Sequence, residues 1–233
     1  MLKVEHLDSG YGKKQALFDI SFEIKKGTVT LLIGSNGSGK STLLKTIFGL
    51  NEAWNGTVFF EGENLTNAKP NSLLQKGIMY VPQKNNVFEQ LTVKENLEIS
   101  GLGLKSNKLF KDRLVEVLDL FPTLVSFLNQ HPMKMSGGER QQLVLAMAML
   151  HQPKLLLLDE PFTGLSPKAL EQIKEIITYI NKEKGVTILM VEHRIKEALP
   201  LVKNLIGLKL GKIVEDIKKV NQFEEESIQR ILI

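Results

Sequence analysis

Nine consecutive residues, Gly34-Ser35-Asn36-Gly37-Ser38-Gly39-Lys40-Ser41-Thr42, carry the densest chemistry in the chain. Phosphate oxygens need many donors at close range, and glycines at 34, 37 and 39 let main-chain N–H groups turn inward without Cβ collisions. A helix beginning at Ser41 would aim its unsatisfied N–H groups at the same anion. Lys40 could bridge the β- and γ-phosphates of a nucleotide, and the Ser41 hydroxyl could ligate Mg²⁺. The spacing is that of a complete P-loop. At average residue usage it recurs by chance in roughly one chain in a hundred of this length, so its flanks must support it.

A second set of residues supplies acids. Leu155-Leu156-Leu157-Leu158 runs into Asp159-Glu160-Pro161. A parallel strand buried on both faces reads as continuous apolar residues, and ligands of open α/β sheets bind at its carboxyl end. There Asp159 would hold Mg²⁺, while Glu160 would accept a proton from the attacking water or orient it. A third set is Met135-Ser136-Gly137-Gly138-Glu139-Arg140-Gln141-Gln142. Ser136 fits a helix N-cap, and the two glycines leave the first N–H groups of that helix uncovered.

These residues need a frame. Residues 29–33 form an apolar strand feeding the glycine-rich loop, and 41–50 carry a helical face at 43, 44, 47 and 48. Residues 2–5 and 20–24 alternate at period two, and 57–60 form another hairpin strand between Asn55-Gly56 and Glu61-Gly62. Residues 78–81 are a short strand stopped by Pro82. Residues 94–99, 113–120 and 137–150 are helical. Strands at 154–158, 186–191 and 205–210 then alternate with helices at 167–182 and 194–199. That order predicts an α/β fold with a mostly parallel sheet and a helical insertion at about 86–150. The tail after Asp216 is polar and helical in pattern, with no evident chemistry.

Composition closes off other classes. The 233 residues are 42% hydrophobic and 24% charged, which excludes collagen-like and disordered chains. There is no cysteine, so disulfides, thiolate metal sites and Cys nucleophiles are excluded. The net charge of +4 is mild and scattered and does not point to nucleic acid. The start, MLKVEHLDSGYG, lacks a signal-peptide core, and the longest leucine run stops at Asp159, so no membrane-spanning helix is expected.

With the three motifs in this order, the chain resembles the ABC ATPase family, the nucleotide-binding subunits of ABC transporters, over nearly all its length. The resemblance implies one ABC ATPase domain over 1–233: a RecA-like P-loop NTPase core, an antiparallel β subdomain and a helical subdomain at about 86–150. It implies ATP and Mg²⁺ as ligands. Residues 34–42 would bind the phosphates, and Ser136, Gly137 and Gly138 would form the signature that meets the γ-phosphate held by an opposite protomer. Tyr11, in Gly10-Tyr11-Gly12, matches the aromatic that stacks on adenine. Gln83, after Val81-Pro82, matches the glutamine that reaches Mg²⁺ and the water. His193, in Val191-Glu192-His193, matches the switch histidine at the γ-phosphate. The partners implied are a second ATPase subunit, identical or not, and transmembrane permease subunits, which would place the chain peripherally at the cytoplasmic face of the membrane.

Finer likeness points to importers of branched-chain amino acids. It lies in Leu17-Phe18-Asp19, in residues 44–50, 60–65 and 91–97, and in Gly164-Leu165-Ser166-Pro167. Ser166 stands where most of the family has an Asp, Met147 where an Arg is usual, and Met135 where a Leu is usual. The alternatives are an ATPase of another ABC transporter or a soluble ABC ATPase acting on nucleic acid. The latter would carry a long coiled coil between P-loop and signature; only about 95 residues separate Lys40 from Ser136, without sustained heptads.

Overall fold

A computed structural model of the chain describes residues 1–84, 86–218 and 231. Its strands are β1 (Leu2–Tyr11), β2 (Lys14–Ile24), β3 (Val29–Ile33), β4 (Ala53–Phe60), β5 (Glu63–Asn64), β6 (Ile78–Val81), β7 (Leu155–Asp159), β8 (Thr187–Val191), β9 (Asn204–Lys209) and β10 (Lys212–Ile217). The helices are α1 (Lys40–Ile47), α2 (Pro70–Lys76), α3 (Val93–Gly101), α4 (Asn107–Leu120), α5 (Gly137–Met149), α6 (Pro167–Lys182) and α7 (Ile195–Ala198). An antiparallel sheet has the order β2-β1-β4-β5. The second sheet, β10-β9-β3-β8-β7-β6, is parallel except for β10 at its edge.

The parallel strands are mostly apolar, and β3, β7 and β8 are buried along their whole length because both faces are covered. Leu156 and Leu158 of β7, with Ile188 and Met190 of β8, enter a core shared with α5 and α6. Their alternates Leu155, Leu157, Leu189 and Val191 enter a second core with α1 and the antiparallel sheet. The three adjacent strands β3, β8 and β7 therefore end side by side, pinned from two directions, and every catalytic candidate except the signature and Tyr11 lies at or just beyond the end of a parallel strand. Among the described residues, no helix is long and apolar enough to cross a membrane.

Helix starts follow local chemistry. Ser136 caps α5, accepting from Glu139 N, while the Glu139 carboxylate accepts from Ser136 N at 2.7 Å, a reciprocal capping box. Thr92 and Glu95 repeat the device at α3, and Ser166 caps α6 ahead of Pro167.

Several boundaries differ from the sequence expectation. The helix expected over 41–50 starts one residue earlier and ends at Ile47, because the chain turns back at Gly49, where φ is +70°. Asn55-Gly56 lies inside β4 rather than bounding it: the register shift between Glu5 and Asp8 sets His6 and Leu7 of β1 against the single residue Gly56, a bulge in β1. Helix α2 and the edge strand β10 carry no expectation from the sequence; α2 is only seven residues long, although Pro70 opens it and Gly77 closes it. Beyond Lys218, the tail read as helical in pattern lies outside the described residues apart from Ile231, which is buried against Gly207.

Candidate functional site

The loop 34–39 leaves β3 and re-enters the fold as α1. Gly39, the residue before the helix, has φ +106°, a conformation that L side chains rarely adopt, and its missing side chain makes room for Leu17 and Ala16. Lys40 is buried: its Nζ donates to the carbonyls of Gly34 at 2.9 Å and Ser35 at 3.0 Å, so the ammonium sits inside the curl of the loop. Burial pulls its pKa below the usual lysine value, against the opposing pull of Glu160 and Asp159.

Acids face this loop. Ser41 Oγ donates to Asp159 Oδ1 at 3.0 Å, and Tyr80 at the end of β6 donates its hydroxyl to Asp159 Oδ2 at 3.0 Å. Burial raises the Asp159 carboxyl, and those two donors oppose it. Burial and the Asp159 charge push the Tyr80 phenol far above its usual value, so it acts as a fixed donor. A hydroxyl and a carboxylate converging within hydrogen-bond distance are hard oxygen donors of the kind Mg²⁺ takes, one or two from protein and the rest from phosphate and water. The residues present therefore fit that ion.

Glu160 follows immediately, with φ +54°. Its Oε1 lies 3.0 Å from His193 Nε2, and its Oε2 accepts from Gln83 Nε2 and, at 3.0 Å, from Thr163 Oγ1. Three residues expected to act together, from the ends of β6, β7 and β8, thus meet at one carboxylate. A cleft of about 400 Å³ joins Tyr11, Asn36, Gly37, Gly39, Lys40, Ser41, Thr42, Glu160 and His193, with Lys14 and Ala16 at its side. Tyr11 is half exposed there. Gly34, Ser35 and Ser38 belong to the same loop; Ser38 O accepts from Gly211 N at 2.9 Å, which ties the loop to the β9–β10 turn.

Ser136, Gly137 and Gly138 do not line this cleft. The start of α5 abuts the segment after β7 instead: a Cβ on Gly138 would lie 2.5 Å from Ala169 Cβ, and one on Gly137 3.5 Å from Gly164 O. Met147 packs partly buried on the helical core, its carbonyl accepting from Ser100 Oγ at 3.0 Å.

Sequence reasoning passed over Tyr80, Thr163, Lys14, Ala16 and Glu192. Glu192 is 2% exposed, and its carboxylate accepts from three main-chain N–H groups: Phe162 at 2.6 Å, His193 at 2.9 Å and Arg194 at 3.2 Å. Burial raises its pKa while those bonds pull it down. The available signal was its place in Val191-Glu192-His193, between an apolar strand and a site histidine.

The ABC transporter family profile matches residues 17–163, more than half of the chain. The chain is 42% identical over 214 residues to the high-affinity branched-chain amino acid transport ATP-binding protein BraG of Pseudomonas aeruginosa, covering 92% of this chain and 91% of that one. It is 39% identical over 231 residues to the probable branched-chain amino acid transport ATP-binding protein LivF of Archaeoglobus fulgidus, covering 99% and 98%. Among solved structures, the ABC transporter cassette MJ1267 in its ADP conformation superposes with a TM-score of 0.89 at 28% identity over 99% of this chain and 97% of that one. The phosphate loop, the paired acids and these likenesses agree: the chain belongs to the ABC transporter family, as a nucleotide-binding, ATP-hydrolysing subunit.

Proposed function

We propose that the chain powers import of branched-chain or related amino acids, working as a head-to-tail dimer of ATPase subunits beneath transmembrane permease subunits at the cytoplasmic face of the membrane. The observation that carries the reading is the convergence of Gln83, His193 and Thr163 on the Glu160 carboxylate at the edge of the phosphate-loop cleft. The names of the relatives support the substrate class. A further solved cassette, MJ0796 with ADP and Pi (28% identity, TM-score 0.81), is dimeric, which supports the assembly.

In this reading residues 34–42 hold the phosphates of ATP and Tyr11 packs on the adenine. Glu160 takes the proton of the attacking water while Gln83 and His193 fix the water and the γ-phosphate, so catalysis is positioning and charge stabilisation. Mg²⁺, held by Ser41, Asp159 and Gln83, would neutralise charge on the phosphates when bound. Ser136, Gly137 and Gly138 complete the γ-phosphate cage of the partner subunit through the N-terminus of α5. The segment 86–150 acts as a helical subdomain within one 1–233 domain, and the permease docks near it and Gln83. A groove of about 700 Å³ between α2 and this segment is lined by Gln75, Leu104, Lys105, Arg113 and His151.

Mixing subunits tests the composite site. Ser136→Arg and Lys40→Ala chains are each expected to be inactive as homodimers. Together they form dimers in which one site carries both lesions and the other neither, so activity returns. A mixture that stays inactive while mixed dimers are shown to form would falsify the composite arrangement. Stimulation of hydrolysis by a branched-chain amino acid, in the complex purified with its own membrane partners, tests the substrate class.

A further inference from the structure

We propose that Glu192 is a positioning residue for hydrolysis, whose buried carboxylate ties the loop carrying Glu160 to the segment carrying His193. The inference rests on the hydrolytic roles given above to Glu160 and His193. Strands β7 and β8 pair in register up to Asp159 opposite Val191, and the last main-chain bond between them runs from Glu160 N to Val191 O at 3.0 Å. Past that bond the two chains leave the sheet, and the N–H groups of Phe162, His193 and Arg194 have no ladder partner.

The Glu192 carboxylate takes the place of the missing ladder. Oε1 accepts from Phe162 N, on the loop after β7, and Oε2 from His193 N and Arg194 N, on the segment after β8. Bonds to an ionised acceptor are the short, strong kind, and a carboxylate has lone pairs enough for all three. A second link runs parallel to it, from Arg194 Nη1 to Leu165 O at 3.2 Å. Glu160 itself sits at φ +54°, a conformation that a side-chain-bearing residue keeps only when its surroundings over-determine it. Glu192 is one of those surroundings. It does not line the cleft, so it acts through the two residues whose side chains meet at 3.0 Å.

The test is Glu192→Gln, which keeps the shape but replaces one acceptor oxygen by an NH₂ facing N–H donors. ATP affinity is expected to hold, because Glu192 bonds the post-β7 and post-β8 segments and makes no hydrogen bond to the phosphate loop, while kcat falls by roughly 10- to 100-fold, the cost of misplacing reacting groups. In a His193→Ala background the same change should cost less than about two-fold more, because its target is already gone. Amide hydrogen exchange at Phe162, His193 and Arg194 should quicken in E192Q. Wild-type kcat, an equal loss in both backgrounds, or unchanged exchange at all three amides would each overturn the proposal. Should E192Q fail to fold, Glu192→Asp retains the charge but withdraws it by one methylene. A fall in kcat at unchanged ATP affinity then supports the assignment, and wild-type kcat refutes it. If His193→Ala and Glu160→Gln both turned over ATP normally, the hydrolytic reading would fall instead, and the exchange rates would still decide whether Glu192 joins the two segments.

Discussion

The two halves of the site are held in opposite ways. The phosphate loop is set by what is missing: a Cβ added at Gly34, Gly39 or Gly211 would collide with its neighbours, lying 2.2 Å from Leu208 O in the case of Gly34. The acid half is set by what is present. Asp159, Glu160 and Glu192 are each fixed by hydrogen-bond donors: Tyr80 and Ser41; Gln83, Thr163 and His193; and three backbone N–H groups. Backbone packing gives a binding surface that does not depend on side-chain ionisation. Carboxylate hydrogen bonding holds charged groups in fixed places, at the cost of burying them.

The difference predicts that lesions in the acid half strike turnover and lesions in the loop half strike binding and stability. The largest effect is expected at Glu160. Glu160→Gln keeps the volume and can still accept a hydrogen bond, but cannot take a proton from water, so phosphate release should fall by about 10²- to 10⁴-fold. ATP affinity, measured by equilibrium binding, should stay near that of the unaltered chain, since Lys40 and the loop amides are untouched. Hydrolysis at the normal rate would remove Glu160 from the centre of the comparison.

On the loop side the sharper probe is Gly211. It has φ +76°, and its carbonyl accepts from Phe18 N at 2.8 Å while its N–H holds Ser38 O, so one residue joins β2 to the phosphate loop. An added Cβ would lie 2.3 Å from Ala16 O and 2.7 Å from Phe18 Cδ2. Gly211→Ala should therefore cost about 1–3 kcal/mol in strain. In a chain of this size that lowers Tm by about 2–4 °C for each kcal/mol. Calorimetry without nucleotide reads this directly, and the ATP KM should rise more than kcat falls. A variant that lost kcat at unchanged KM would erase the division of labour.

The same division explains what could be read from the sequence. A loop built on absent side chains requires glycines at fixed spacing, so residues 34–42 are legible as a string, as is Asp159-Glu160 after a run of four leucines. Ser136 is legible because a capping box has its own period, with Glu139 three residues on. Tyr80 and Glu192 have no such spacing. Both make their contacts only because β6, β7 and β8 lie side by side in a particular register, which no local pattern records. Helix α1 was legible but overrun, since Phe48 and Leu50 continue an apolar pattern that the turn at Gly49 interrupts. The continuity of β4 through Gly56 hides for the converse reason: Asn-Gly is the signature of a hairpin turn, and only pairing with β1, bulged at His6 and Leu7, shows the strand continuing through it.

The smallest expected effect lies at Tyr80, where the acid half touches the core. The Tyr80 ring packs 5.7 Å from that of Phe48, and only its hydroxyl reaches Asp159. Tyr80→Phe keeps the packing and removes one donor from a buried carboxylate that retains Ser41, a loss of about 1–2 kcal/mol for a bond to a charged group. The pH dependence separates this from a packing defect. Burial raises the Asp159 carboxyl in the folded chain above its unfolded value, so its contribution to stability is greatest at low pH and declines as pH rises through the folded pKa. Without the Tyr80 donor that folded pKa rises further, so the decline, which still begins near the unchanged unfolded pKa, continues to higher pH and runs deeper by neutrality. The difference in Tm between variant and parent, measured without nucleotide, should thus be larger at neutral pH than in mild acid, where a protonated Asp159 has less need of a donor. A Tm penalty that is the same at both pH values would mean that the hydroxyl serves packing alone, and that the acid half is less dependent on its hydrogen bonds than the geometry implies.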